Sequence, residues 1–141
     1  MTVTHLDEGL KRRRETALRD HLAAERSGDA AAIIATFAHP RYELIPTNRV
    51  YDGPTDVRRY LDERRHAFPD LHTEIIDLHH AEAAVLAEIW LMGTHRGTVA
   101  DLEATGRTFK CRMAVLFLFE GADLVGARVY FDLGTIARQL A

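Results

Sequence analysis

The chain has 141 residues, 47% of them apolar and 28% charged, with a net charge of −3 at pH 7. That length and apolar content suit one globular domain over residues 1–141 with a core of its own, and the acid excess argues against a general nucleic-acid binder. No apolar run approaches the roughly 20 residues that span a bilayer, the charged stretch Met1 to Glu15 lacks the apolar segment of a secretory signal, and one cysteine, Cys111, excludes an internal disulfide and points to a reducing cytoplasm.

Helical patterning comes first. Residues 1–9 read as a loose tail. From Leu10 to Ser27 the less polar positions Leu10, Ala17, Leu18, His21 and Leu22 recur on one side, which predicts an amphipathic helix. Its basic run Lys11-Arg12-Arg13-Arg14 is answered by Asp7, Glu8, Glu15 and Asp20 and reads as a solvated face. Ser27-Gly28 ends the helix, and Asp29 caps a short second one reaching about Phe37. Pro40 stops it. Tyr42 to Pro46 is a short strand that Val50-Tyr51 continues or pairs with. Asp52-Gly53-Pro54 turns the chain into a helix ending near Ala67, with Val57, Tyr60, Leu61 and Phe68 on one stripe.

Strand patterns follow at Leu71–His80, Val85–Arg96, Thr108–Glu120 and Leu124–Asp132, the last two joined by Gly121-Ala122-Asp123. Gly134 to Leu140 reads as a short final helix. The segment Met113 to Phe119 is apolar on both faces, whereas a strand with one wet face alternates. The helices can cover one face. A second copy of the same sheet covers the other, so a homodimer through the sheet is expected.

This order, together with Tyr51-Asp52-Gly53, Gly93-Thr94-His95-Arg96-Gly97, Thr105-Gly106-Arg107, Phe119-Glu120-Gly121, Tyr130-Phe131-Asp132 and Gln139-Leu140, resembles the nuclear transport factor 2-like superfamily, and within it the SnoaL-like polyketide cyclases, or ester cyclases. The chain departs from that pattern at Ala100-Asp101-Leu102 and Ala104-Thr105-Gly106, where the family commonly has a second glycine and Pro-Thr-Gly. Met113 to Phe119 also lacks the polar partner that family cyclases carry on the penultimate strand. The resemblance implies an α+β fold: a cone-shaped cup of N-terminal helices packed on a curved, mostly antiparallel sheet, with an internal pocket.

The resemblance also implies that Asp132 is the general acid/base, with its pKa raised at the rim of an apolar cup. The alternative is that Asp132 caps the last helix. Tyr130 and Arg128 share its strand face by the two-residue period. Tyr130 then orients a substrate oxygen, and Arg128 pairs with Asp132 or a substrate anion, or stands exposed at a strand end. His95 is a proton shuttle or ties the turn between strands. Tyr42, Trp90, Met92, Met113, Phe117 and Phe37 are pocket walls or core. Cys111 is buried and inert. His79 and His80 point to opposite faces, and no His/Asp/Glu grouping has metal-ligand spacing, so no metal is expected. The expected function is a cofactor-independent cyclase or isomerase for a small hydrophobic, oxygen-bearing molecule, such as a polyketide, in the cytoplasm. The alternatives are a non-catalytic binding domain for such a molecule and an epoxide hydrolase-like enzyme.

Overall fold

The computed structural model describes residues 6–141. Helix α1 spans Glu8–Ser27, capped by the Asp7 carboxylate, which accepts from the Leu10 amide at 2.6 Å. Asp7 to Gly9 thus already belong to the helix start, a turn earlier than the apolar repeat indicates; residues 1–5 of the expected tail lie outside the described residues. Gly28 ends α1 in the left-handed region at φ +72°, which favours glycine. Asp29 accepts from the amides of Ala31 and Ala32 and opens α2, Ala30–Ala35.

Strand β1 (Arg41–Leu44) pairs antiparallel with β2 (Arg49–Asp52) across a 3-10 turn. Gly53, at φ +86°, leads into α3, Gly53–Ala67. Then come β3 (His72–Ala81), β4 (Ala84–Thr94), β5 (Thr108–Glu120), β6 (Asp123–Phe131) and α4 (Leu133–Leu140). The six strands form one sheet in the order β2-β1-β6-β5-β4-β3, antiparallel except where β1 lies parallel to β6. The fold is the α+β architecture expected of the family.

Alternation along β5 sorts its residues. Met113, Val115, Phe117 and Phe119 are buried against the helices, while Ala114, Leu116 and Leu118 lie half-buried on the outer face. The main core joins these residues to Leu18 and Leu22 of α1, Ile33 of α2, and Val57 and Leu61 of α3. The basic run of α1 is not wholly solvated. Arg14 is buried; its guanidinium donates to the carbonyls of Gly121 (2.7 Å) and Glu82 (2.9 Å) and lies over the Phe119 ring. It thereby satisfies the turns of both hairpins, an arrangement the neighbouring acidic residues in sequence do not reveal.

Candidate functional site

Between the inner sheet face and helices α1 and α3 lies a cavity of about 450 Å³. Most of its wall is apolar, supplied by Leu91, Met113, Val115, Phe117, Val129 and Phe131 of the sheet and by Leu22 of α1. Phe68, Leu133 and Ile136 add to it, and Thr98, Val99 and Ala100 of the β4–β5 loop also line it.

One wall is polar. Leu18, His21, Leu22 and Glu25 follow the inward phase of α1, and Val57, Tyr60, Leu61 and Arg64 follow that of α3. Two polar i,i+4 pairs, His21/Glu25 and Tyr60/Arg64, therefore meet inside the cup. Arg64 Nη2 donates to Glu25 Oε2 at 2.6 Å, and the Tyr42 hydroxyl donates to the same oxygen at 3.2 Å. His21 Nε2 lies 3.1 Å from Glu25 Oε1. Arg64 Nη1 reaches the Tyr60 hydroxyl at 3.5 Å. Tyr60 stacks on Tyr51 with centroids 4.6 Å apart. Glu25 and Arg64 line the cavity and keep only 17% and 21% of their side-chain surface open.

Burial alone pushes the Glu25 carboxyl up, but the Arg64 guanidinium, with His21, overrides it and holds Glu25 far below the usual carboxylate range. Burial disfavours the Arg64 charge, yet Glu25 beside it keeps the guanidinium firmly protonated. Burial raises the Tyr42 hydroxyl well above its ordinary value, and the Glu25 charge adds to that; burial also raises Tyr60. At neutral pH both phenols are intact donors. Tyr60 accepts from Arg64, a donor-only group, so its own hydrogen is available to an acceptor in the cavity.

Of the residues expected in the site, Tyr42, Met113 and Phe117 line the cavity; Phe37 is in the core beside His21. The others lie elsewhere. Ala127, Val129 and Phe131 hold the inner parity of β6, so Arg128, Tyr130 and Asp132 do share a face, but it is the outer one. The expectation of Asp132 in the cup with a raised pKa is corrected: its side chain is 69% exposed and caps α4. It accepts from the Thr135 hydroxyl at 2.8 Å and the Gly134 amide at 3.1 Å, and these bonds lower its pKa. Tyr130 is exposed, and Arg128 pairs with Glu43 at 3.1 Å instead of with Asp132. Trp90 and Met92 also take the outer parity; Lys110 and Arg112 sit over the Trp90 ring at 4.5 and 5.3 Å.

His95 is fully buried and does not line the cavity. Its Nδ1 accepts from the Thr105 amide at 3.2 Å and so ties down the β4–β5 loop, while Nε2 is buried without a partner. The spacing argument against a His/Asp/Glu grouping is corrected by strand pairing. Ile76 bulges, Asp77 then faces Glu88, and with His79 their ligand atoms lie within 4.8 Å of one another. The trio is solvent-facing and away from the cavity. His79 and His80 do point apart, His80 reaching Glu15 of α1 at 3.1 Å. Among the described residues no helix is long and apolar enough to cross a membrane.

A cup of helices on a curved sheet, holding a cavity with a polar patch, defines a nuclear transport factor 2-like protein. The family model for SnoaL-like polyketide cyclases matches residues 15–140, and the chain belongs to that family. Among solved structures it is similar to a candidate SnoaL-like polyketide cyclase from Jannaschia sp. CCS1, at TM-score 0.84 and 12% identity, covering 97% of each chain. A candidate polyketide cyclase from Xanthomonas campestris pv. campestris gives TM-score 0.84 at 17% identity, over 94% of this chain and 99% of that one. IdmH, a candidate polyketide cyclase from Streptomyces antibioticus, gives 0.75 at 19% identity, over 90% and 97%. No curated protein matches the sequence.

Proposed function

We propose that the chain is a cofactor-independent enzyme that cyclises or isomerises a small hydrophobic, oxygen-bearing metabolite, such as a polyketide, by acid/base chemistry in the cup. The observation that carries this is the polar wall of Tyr60, Arg64, Glu25 and Tyr42 in an otherwise apolar cavity of about 450 Å³, a size that suits a small organic molecule. Membership of the family and the similarity to candidate cyclases support the same reading.

A substrate carbonyl against this wall accepts from the Tyr60 hydroxyl. The Arg64 charge behind Tyr60 strengthens that donor and stabilises the enolate oxygen formed when an adjacent C–H bond breaks. Glu25, held ionised, is a fixed charge that orients Arg64 and Tyr42. Glu63, the second carboxylate on the lining and itself exposed, takes the proton. The electron pair moves into the carbonyl, and the enolate then attacks a second carbonyl or is reprotonated elsewhere.

The test needs no knowledge of the natural substrate: exchange of the α-hydrogens of 2-tetralone for deuterium, followed by NMR. Acceleration over buffer that falls by about a hundredfold in Tyr60→Phe supports the mechanism, that being the usual worth of one such donor. Binding of the ketone with no acceleration replaces it with the non-catalytic binding domain.

We also propose that two copies meet through the outer sheet face. Leu86, Ala114, Leu116 and Leu118 form a half-buried stripe there, bordered by charges of both signs, Glu88 against Arg112 and Arg128. A twofold axis brings unlike charges together across such a face.

A further inference from the structure

The β4–β5 connection is pinned at its base on both sides. The Arg96 and Gly97 amides donate to the Ala67 carbonyl at 2.9 and 3.2 Å, and Gly97 lies so close to the end of α3 that a Cβ there would collide with the His66 carbonyl. The His95 amide donates to the Arg107 carbonyl and the Gly106 amide to the His95 carbonyl, each at 2.9 Å. The buried His95 ring accepts from the Thr105 amide. Between these clamps the arm is free of the body. Among the described residues, Thr98 to Ala104 hydrogen-bond only to one another, and all of them are exposed.

The tip holds itself together. Val99 and Leu102 exchange amide–carbonyl bonds of 3.0 and 2.8 Å around the two-residue turn Ala100-Asp101, and Ala100 takes the positive φ, +50°, that the first position of such a turn uses. Residues paired in this way put their side chains on one face. Val99 lines the cavity, so Leu102 stands on the same side of the tip, just beyond the lining. Both are apolar yet open to water, at 37% and 43%, and Leu133, which also lines the cavity, is 45% open. An arm with no outside hydrogen bonds moves at little cost, and apolar side chains left in water gain by covering an apolar ligand.

We infer that Thr98–Ala104 is a lid that closes over an occupied cavity from its clamped ends, and that Leu102, outside the lining in this structure, then becomes a contact to the ligand. The inference rests on the cup being the binding site, as proposed above. It adds a binding residue that the lining does not include, and it requires that the ligand present apolar surface at the mouth. Closure also keeps bulk water from the polar wall.

The test uses 2-tetralone as the probe, at pH 7, on the wild type and on Leu102→Ser, a change at an exposed tip that leaves the core untouched. Affinity is read by calorimetry, dissociation by stopped flow, and the lid by hydrogen-exchange mass spectrometry. In the free wild type the amides of Asp101, Glu103 and Ala104, which no hydrogen bond protects, exchange as in an unstructured peptide. Saturation with 2-tetralone slows them about tenfold, the worth of covering the exposed parts of two aliphatic side chains. These three residues lie outside the lining, so a ligand in a static cup does not shield them. Leu102→Ser weakens binding about fivefold, mainly through faster dissociation. Exchange that is already slow in the free protein or unchanged on saturation, or Leu102→Ser binding as tightly as the wild type, overturns the lid and leaves the cup as a binding site. No binding of 2-tetralone to the wild type overturns both.

Discussion

Replacing Arg64 with Met tests whether the polar wall is held by charge. The substitution keeps an unbranched apolar stem as long as the arginine side chain up to Nε and removes the guanidinium. Glu25 Oε2 then loses its 2.6 Å charged donor and keeps the 3.2 Å bond from the Tyr42 hydroxyl, while Oε1 keeps His21. A charge-assisted hydrogen bond is worth about 1.5–3 kcal/mol, and removing one partner of a buried pair typically costs about 3–5 kcal/mol. His21 remains and Glu25 is 17% open to the cavity, so the low end, about 3 kcal/mol, is expected. In a chain of this length that corresponds to a fall of roughly 10 °C in Tm. Urea unfolding at pH 7 measures it directly. The pH dependence supplies a second check. Glu25 is depressed in the folded state, so its contribution is complete above the unfolded carboxylate pKa of about 4.3 and is lost as pH falls towards the much lower folded value. The gap between wild type and Arg64→Met is therefore full at pH 7 and narrows on acidification below about pH 4. Replacing both partners, Glu25→Leu with Arg64→Met, leaves no orphaned charge and recovers most of the loss. A single variant within about 1 kcal/mol of wild type, or a double variant as unstable as the sum of the singles, refutes the reasoning.

Asp132→Asn leaves α-hydrogen exchange of 2-tetralone unchanged, because the carboxylate lies outside the cavity, and Asp132→Ala lowers Tm by a few degrees through loss of the α4 cap, read by calorimetry. Gly97→Ala destabilises by about 2 kcal/mol or more in urea titrations, since a Cβ there meets the His66 carbonyl oxygen and the backbone must move. On the proposed association through the outer face, light scattering gives twice the chain mass for the wild type and a monomer of 15.9 kDa for Leu116→Asp, with 2-tetralone binding unchanged. Glu63→Gln reduces 2-tetralone exchange by about a hundredfold without weakening ketone binding, as loss of a positioned base requires.

The element order was readable because each boundary has a local cause. Asp29, Gly28 and Gly53-Pro54 act within a few residues of themselves. The candidate site is a different kind of object. Which face of β6 lines the cup is decided by where Ala127, Val129 and Phe131 find the helices, and period-two reasoning groups Arg128, Tyr130 and Asp132 without saying which way the group points. The apolar members of the alternation were the available signal, since a cavity under helices draws the side chains that lose least on leaving water. Glu25 and Arg64 were visible as charged residues in the inward phase of two amphipathic helices, but their meeting, across 39 positions, is a tertiary fact. So is the cross-strand approach of Asp77 and Glu88, which requires the bulge at Ile76.

One strand, β5, serves both faces, and its parity keeps them apart. Met113, Val115 and Phe117 face the cavity; Ala114, Leu116 and Leu118 face outward. The lack of a polar side chain between Met113 and Phe119 therefore does not leave the cup without polar groups, because these arrive from the opposite wall, on α1, α3 and β1. Helix faces carry such groups at modest cost: His21 and Glu25, or Tyr60 and Arg64, sit one turn apart and satisfy one another across the helix pair. A buried strand residue has neighbours on both sides in the sheet and no turn to share, so an isolated polar side chain on β5 would face apolar rings. With the charges on the helices and the apolar surface on the sheet, a change on either face of β5 leaves the Glu25–Arg64 ion pair undisturbed.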